Sequence, residues 1–557
     1  MAEKIVRQFG PLNAQSPDQP PNRHQITEGH IVDRPSVQKR PPHNQRSPAR
    51  GPPSAATTEE IGAPVYMGAE SLASALLDTL KSGQPPEDSQ QSSSGGSNLQ
   101  PSAHETMKLL YLADTGSMHP FANLWLPGSS AEDICLALPD DETFERCLTA
   151  FYDTVHLVLP SCSVDDFEAD ARAFWRERSS GQKRESELRS PSWLAVLFCI
   201  LACGCTYSTL SRAESDLSSR VFVCCTFALL RLDNYLLQPT ISSVRALVGL
   251  CGNLRDQANP AASWSLLGMA IRLAQSLSLH CAPPPRKDSP VIEQQAWTQG
   301  LVWQDTTLSL CYDRPCAAFV DGSIPRIPRS TNGIGLSYPE SCHGLAIVMN
   351  DMCHEWTRFR RAGSASPPAV HFRVAEEQIL LWEASAEEYL RNRAICRDNT
   401  QRLLQKAFQI FVNFFIFQLH RHLLTARPLF ANSAQITPRS PETGEGNQDT
   451  AEDHNAICMD RCETILYLYL SMRKSHFQAS RVWLLIHICI SCSFFLATAM
   501  KKAKDQHGED PKQDGDNSRY RILRDLAKHF EETIPYTIHP HHTDILNTLK
   551  DVIGLPA

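Results

Sequence analysis

The chain has 557 residues, of which 42% are hydrophobic, 8% aromatic and 20% charged, an ordinary globular balance with room for one large core or several domains. Its net charge of −8 excludes a protein that grips nucleic acid along its whole length, so any such contact must be local or supplied by a partner. Its 19 cysteines are scattered through apolar runs, and the polar start Met1-Ala2-Glu3-Lys4 is followed by no apolar stretch. The expectation is therefore no secretory leader, no disulfide framework, and buried, reduced thiols.

Residues 1–106 differ from the rest. They hold 14 of the 38 prolines, only two of the 43 aromatics (Phe9 and Tyr66), and no Cys or Trp. Such a segment cannot bury enough apolar surface to offset its ordering entropy, which predicts a disordered Pro/Ser-rich arm. Its first 50 residues carry eight Lys/Arg against four Asp/Glu, and Ser89–Ser102 is a low-complexity linker. Within the arm, Leu72, Ala75, Leu76 and Leu80 recur at helical spacing and predict a short docking helix over Ala69–Leu80.

From residue 107 the composition becomes globular and strand alternation is hard to find. Helices are predicted over Trp193–Ser208, Val221–Leu237, Ser243–Arg255, Ser263–Leu279, Ile292–Leu310 and Leu345–Arg360. Further helices are predicted over Val374–Ile395, Arg402–Leu424, Ala456–Met472, Arg481–Lys502 and Tyr520–Glu532. In the fourth, Trp264, Leu267, Ile271, Ala274 and Leu277 make one apolar stripe. Two polar stretches, Thr437–Asn455 and Lys504–Ser518, read as surface loops. The fold class is all-α. Val482–Met500 carries no Asp, Glu, Lys or Arg and is long enough to span a membrane, but His487, Ser491, Cys492, Ser493 and Thr498 dilute it. A core helix, apolar on most faces, is the preferred reading over a membrane-associated protein.

The chemistry-bearing motifs are few. There is no phosphate-binding glycine loop, no nucleophile elbow and no H-E-x-x-H. Asp140-Asp141-Glu142 and Asp165-Asp166 could suggest an all-α biosynthetic enzyme that holds magnesium, with Asn350–Glu355 as a second metal motif. That chemistry needs carboxylates one helical turn apart, and the turn-spaced acid is missing. Asp140-Asp141-Glu142 reads better as a run of acids that caps the N-terminus of an amphipathic helix and favours its dipole. Cys203-x-Cys205, Cys224-Cys225, Cys458-x3-Cys462 and Cys489-x2-Cys492 lie on apolar helical stretches with no second pair at zinc spacing, so core packing is expected. His539-Pro540-His541-His542 reads as a solvated turn, and Lys39-Arg40 and Lys183-Arg184 are too short for a nuclear signal.

The order of motifs resembles a known family. Ser263–His280 (SWSLLGMAIRLAQSLSLH) is similar to the most characteristic helix of the fungal-specific transcription factor domain, the middle homology region of zinc-cluster regulators. Gly268, Met269, Ala270, Arg272, Ala274, Leu279 and His280 carry the match. Upstream, His156, Pro160 and Phe167 within Leu148–Trp175 fit the family's opening, with Ser161-Cys162-Ser163 replacing its apolar–His element. Downstream, Trp303, Asp305, Arg314 and Pro315 resemble its tryptophan-rich helix and following turn, with Asp313 in place of Gly. Ile324–Pro328 and Leu419–Phe430 fit later elements.

The resemblance implies three regions: the arm 1–106, a large helical regulatory domain over 107–505, and an acidic loop with C-terminal helices over 506–557. It implies a nuclear transcriptional regulator and not an enzyme, one that acts at promoters and possesses no catalytic or metal residues, with the signature positions structural. Gly268 is expected to permit close helix packing, and Arg272, set in an apolar helix, to pair with Asp305 or Asp313. Relatives carry a six-Cys zinc cluster that places a helix in the major groove, whereas the first Cys here is Cys135. Zinc is then expected only with an upstream exon. DNA is expected to be reached through a partner regulator or a homodimer, with a small molecule between helices as effector.

Overall fold

A computed structural model describes residues 124–126, 128–159, 165–179, 189–257, 260–281, 300–320, 335–361, 369–425, 451–507 and 518–533, with Asn547 and Lys550. The arm 1–106, the docking helix at 69–80, Pro160 to Ser163, Ile324–Pro328 and His539–His542 lie outside them. Within the described residues there are helices and one isolated bridge, Leu336 to Ala386, and no strand. The all-α expectation holds.

The first group comprises α1 (Ala131–Cys135), α2 (Asp141–Ala150), α3 (Asp165–Ser179), α4 (Pro191–Tyr207), α5 (Arg212–Leu232), α6 (Ile241–Asp256) and α7 (Pro260–Ser276). Asp140 caps α2 as expected: its carboxylate accepts the Thr143 N–H at 2.8 Å, which holds it below the usual carboxylate range. α2 continues as a π-helical turn over Phe151–His156. Ser190 caps α4, Pro191 fills its first turn, and everything from Leu194 to Tyr207 is buried. Such a helix has no solvent face, so α4 packs on α2, α5 and α6 at once. Gly204 makes the α2 approach possible, since a Cβ there would lie 2.0 Å from the Cys147 carbonyl oxygen.

The second group comprises α9 (Tyr338–Arg361), α10 (Ala369–Ser385), α11 (Glu388–Arg391), α12 (Asn399–Thr425), α13 (Ala451–Ser475), α14 (Phe477–Ser480), α15 (Trp483–His507) and α16 (Ser518–Thr533). α12 supplies buried Phe408, Phe411, Phe414 and Phe415 and packs on α13, which packs in turn on α15. α15 is the one helix among the described residues long and apolar enough to cross a membrane, and 78% of its apolar window is buried inside the fold. Cys203, Cys205, Cys224, Cys225, Cys458, Cys462, Cys489 and Cys492 are buried free thiols, as expected.

Between the groups lies α8 (Trp303–Tyr312), in which all ten residues are buried. Gln304 donates to the Val248 carbonyl of α6 at 3.2 Å, and Trp303 meets the edge of Phe411 on α12 at 5.0 Å. A short helix with polar residues on every turn can be interior where its polar groups find partners, as Thr307 does by donating to the Trp303 carbonyl at 2.8 Å. Asn350 of α9, a residue of the magnesium-motif echo, donates to Thr306 at 3.1 Å and to the Ala318 carbonyl at 3.3 Å.

Several boundaries depart from the sequence reading, four of them for a reason or with a contact that matters here. The helix predicted over Val374–Ile395 stops at Ser385, where Leu336 donates to the Ser385 carbonyl and accepts from the Glu387 N–H, both at 2.9 Å. The loop predicted to reach Asn455 is helical from Ala451, and His454 Nδ1 lies 2.9 Å from His420 Nδ1 on α12. α5 begins at Arg212, nine residues earlier than the pattern suggested, under a Ser211 cap. α15 runs on to His507, beyond the expected boundary at 505, and α16 packs against α13 and α15.

Candidate ligand-binding site

The turn that ends α8 shapes the site. Asp313 adopts φ 49°, the left-handed conformation that closes a helix, and Pro315 two residues on prevents its continuation. The turn swings Arg314 back over the fold. Its guanidinium lies 4.8 Å from the Trp264 ring of α7 and 5.1 Å from the Tyr312 ring. Two further helices converge on the same place: the C-terminal turn of α9 brings Trp356, Arg360 and Arg361, and the last turns of α12 bring Gln418 and His422. They enclose a partly open cavity of about 320 Å³.

Its chemistry is cationic with an aromatic wall. Three arginines face one aspartate; Arg360 and Asp313 are joined at 2.8 Å. Trp356 and His422 stack at 4.0 Å with their planes 14° apart. One buried donor on the wall, the Trp356 indole N–H, has no hydrogen-bond partner among the described residues. A buried donor without a partner forfeits roughly 1–3 kcal/mol, which a ligand acceptor would recover. The cavity thus suits a small organic anion with a flat apolar part.

Two residues beside the cavity carry strong shifts. Asp305 accepts the Ala317 and Ala318 N–H groups at 2.7 Å each, which favours the carboxylate; burial acts more strongly and pushes it up to about 7. On α15, His487 lies against Trp483 and Tyr312, and burial, aided by Arg421, drives it down to about 3.

Of the signature residues, Trp303 and Asp305 form the buried support, Arg314 and Pro315 line the cavity, and Ala270, Ala274 and Leu279 are core. Met269 is half-buried, as is His280, whose Nε2 lies 3.4 Å from Cys281 Sγ. Two expectations are corrected. Arg272 is exposed and donates to Gln275 at 2.9 Å; Asp305 is engaged by backbone N–H groups and Asp313 by Arg360, so neither pairs with it. The helix turns Arg272 outward because its neighbours Ile271 and Leu273 already claim the core face. Gly268 does not mark close packing, since a Cβ there would meet nothing within 4 Å. Sequence reading did not single out Trp356, Arg360, Arg361 or His422 for this site. The only local signals were an arginine-rich end to an amphipathic helix and polar residues in an apolar one.

Comparison with known proteins follows the same lines. Residues 148–319, which run from the last residues of α2 to beyond the α8 turn, match the family described as the fungal specific transcription factor domain. No curated protein matches the chain. Among solved structures, a chain from the structure of the K. lactis CBF3 core is similar at 12% identity and a TM-score of 0.46, over 81% of this chain and 88% of that one.

Proposed function

We propose that this chain, whose residues 148–319 match the fungal specific transcription factor domain, is a nuclear transcriptional regulator acting at promoters. The family is one of transcription factors and not of enzymes. In this reading the helical domain is the sensing part, and DNA is reached through a partner regulator or a second copy of the chain. A net charge of −8 supports contact that is local or borrowed.

The domain match carries the regulatory reading, and the cavity at the α8 turn supports effector sensing. A small organic anion there would bridge α8, α9 and α12 through Arg314, Arg360 and His422. Because α8 contacts both helix groups, a ligand that favours one packing of α8 biases the whole domain. The test is chromatin occupancy of the tagged full-length protein in its native host. Discrete peaks upstream of a few genes are expected; their absence under inducing conditions, with the tag outside the nucleus, overturns the reading. For the effector, Arg360→Gln with Arg361→Gln is expected to abolish ligand-induced thermal stabilisation without lowering the melting temperature of the free protein by more than a few degrees.

A further inference from the structure

A second cationic feature lies apart from that cavity, where the 3-10 turn Arg393–Ile395, the start of α12 and the end of α13 meet. It is an open groove of about 770 Å³. Arg393, Arg402, Lys406 and His476 line it, together with Asn399 and Ser475, and no aspartate or glutamate does.

Lys406 forms the floor and is only 4% exposed. Its ammonium donates to Ser475 Oγ at 2.8 Å and to the Ser471 carbonyl at 3.2 Å, both neutral acceptors. The charges that act on it include Arg393 and Arg402, which repel it, and no carboxylate. Arg402 rests on the Asn399 side chain at 3.2 Å, and His476 donates from Nε2 to the Asn399 carbonyl at 3.0 Å. Asp398, the nearest acid in sequence, spends its Oδ1 on the Gln401 N–H at 2.7 Å, capping α12.

Like charges are thus gathered without a counter-ion in a chain whose net charge is −8. Desolvating an ammonium and placing two guanidinium groups beside it is costly unless an anion completes the set. The groove's depth decides the shape of that anion. A duplex offers single-charge phosphodiesters on a stiff rod, which cannot lower an oxygen onto a floor that is nearly closed to solvent. A compact phosphoryl group can, with the exposed arginines forking its upper oxygens and Lys406 meeting the lower one. The geometry points to a binding site for the phosphoryl group of a small phosphorylated compound, held by Arg393, Arg402 and Lys406 and distinct from the cavity at the α8 turn.

The test is titration calorimetry of the full-length protein with inorganic pyrophosphate at physiological ionic strength. Saturable binding to the wild type is expected, weakened at least tenfold by Arg393→Gln with Arg402→Gln. Both side chains are exposed, so this variant keeps the fold. Arg397→Gln, exposed on the same segment but outside the groove, is expected to leave binding unchanged. No binding, or equal affinity in the double variant, overturns the site. A random duplex that displaces pyrophosphate and is itself lost in the double variant also overturns it, in favour of nucleic acid.

Discussion

At the residue scale, two glycines in helices have opposite roles. Gly204 lies against the Cys147 backbone, which cannot yield, so Gly204→Ala is expected to lower stability by about 1–3 kcal/mol or more. Gly268 faces open space within α7, where alanine removes backbone entropy from the unfolded chain. Gly268→Ala is therefore expected to raise stability by about 0.5–1 kcal/mol. Urea denaturation of both variants checks the pair; equal effects would contradict the packing described. The cysteines divide just as sharply. Burial raises the Cys135 and Cys224 thiols to about 11, and only Cys281 is exposed among the described cysteines. A thiol reagent added to native protein is expected to modify Cys281 well before the other described cysteines, and Cys281→Ser to remove that fast phase.

At the element scale, helix ends were more legible where a cap forms them than where a distant contact does. Asp140 could be read as a cap because its role is local, and Asp140→Ala is expected to cost about 0.5–2 kcal/mol, measurable by chemical denaturation. The end of α10 could not be read, because Leu336, far off in sequence, takes the hydrogen bonds that would extend it. α8 was partly legible. Its Trp303 and Asp305 stood out by resemblance, yet nothing local revealed that Gln304, Thr306 and Thr307 would also be interior.

At the scale of the whole molecule, two buried titrating groups act in opposite senses. Asp305 holds a proton in the fold between its ordinary 3.8 and about 7, so its contribution to stability falls as pH rises through that window. His487 sheds a proton on folding between 6.5 and about 3, so its contribution falls as pH drops through that window. The slopes oppose one another where the windows overlap. Asp305→Asn removes one of them and keeps an acceptor for the Ala317 and Ala318 N–H groups. Its stability relative to wild type is expected to improve steadily from pH 4 to 7, by up to about 1.4 kcal/mol per pH unit. Urea melts at pH 4.5, 6 and 7.5 decide it, and parallel profiles for the two proteins would refute the assignment.

The amino-acid sequence by itself determined the all-α class, the approximate place of the long helices, the burial of the thiols and the family resemblance. Each rests on periodicity, composition or motif order, which neighbouring residues carry among themselves. Only the tertiary structure decided that Arg272 faces solvent, that Arg314 meets Arg360 and His422 around one cavity, and that Lys406 lies beneath Arg393 and Arg402. Those facts depend on which faces of distant helices meet. A helix shows its apolar side in sequence, but burial of that side is equally favourable against many partners, so the pattern does not name the one it will find.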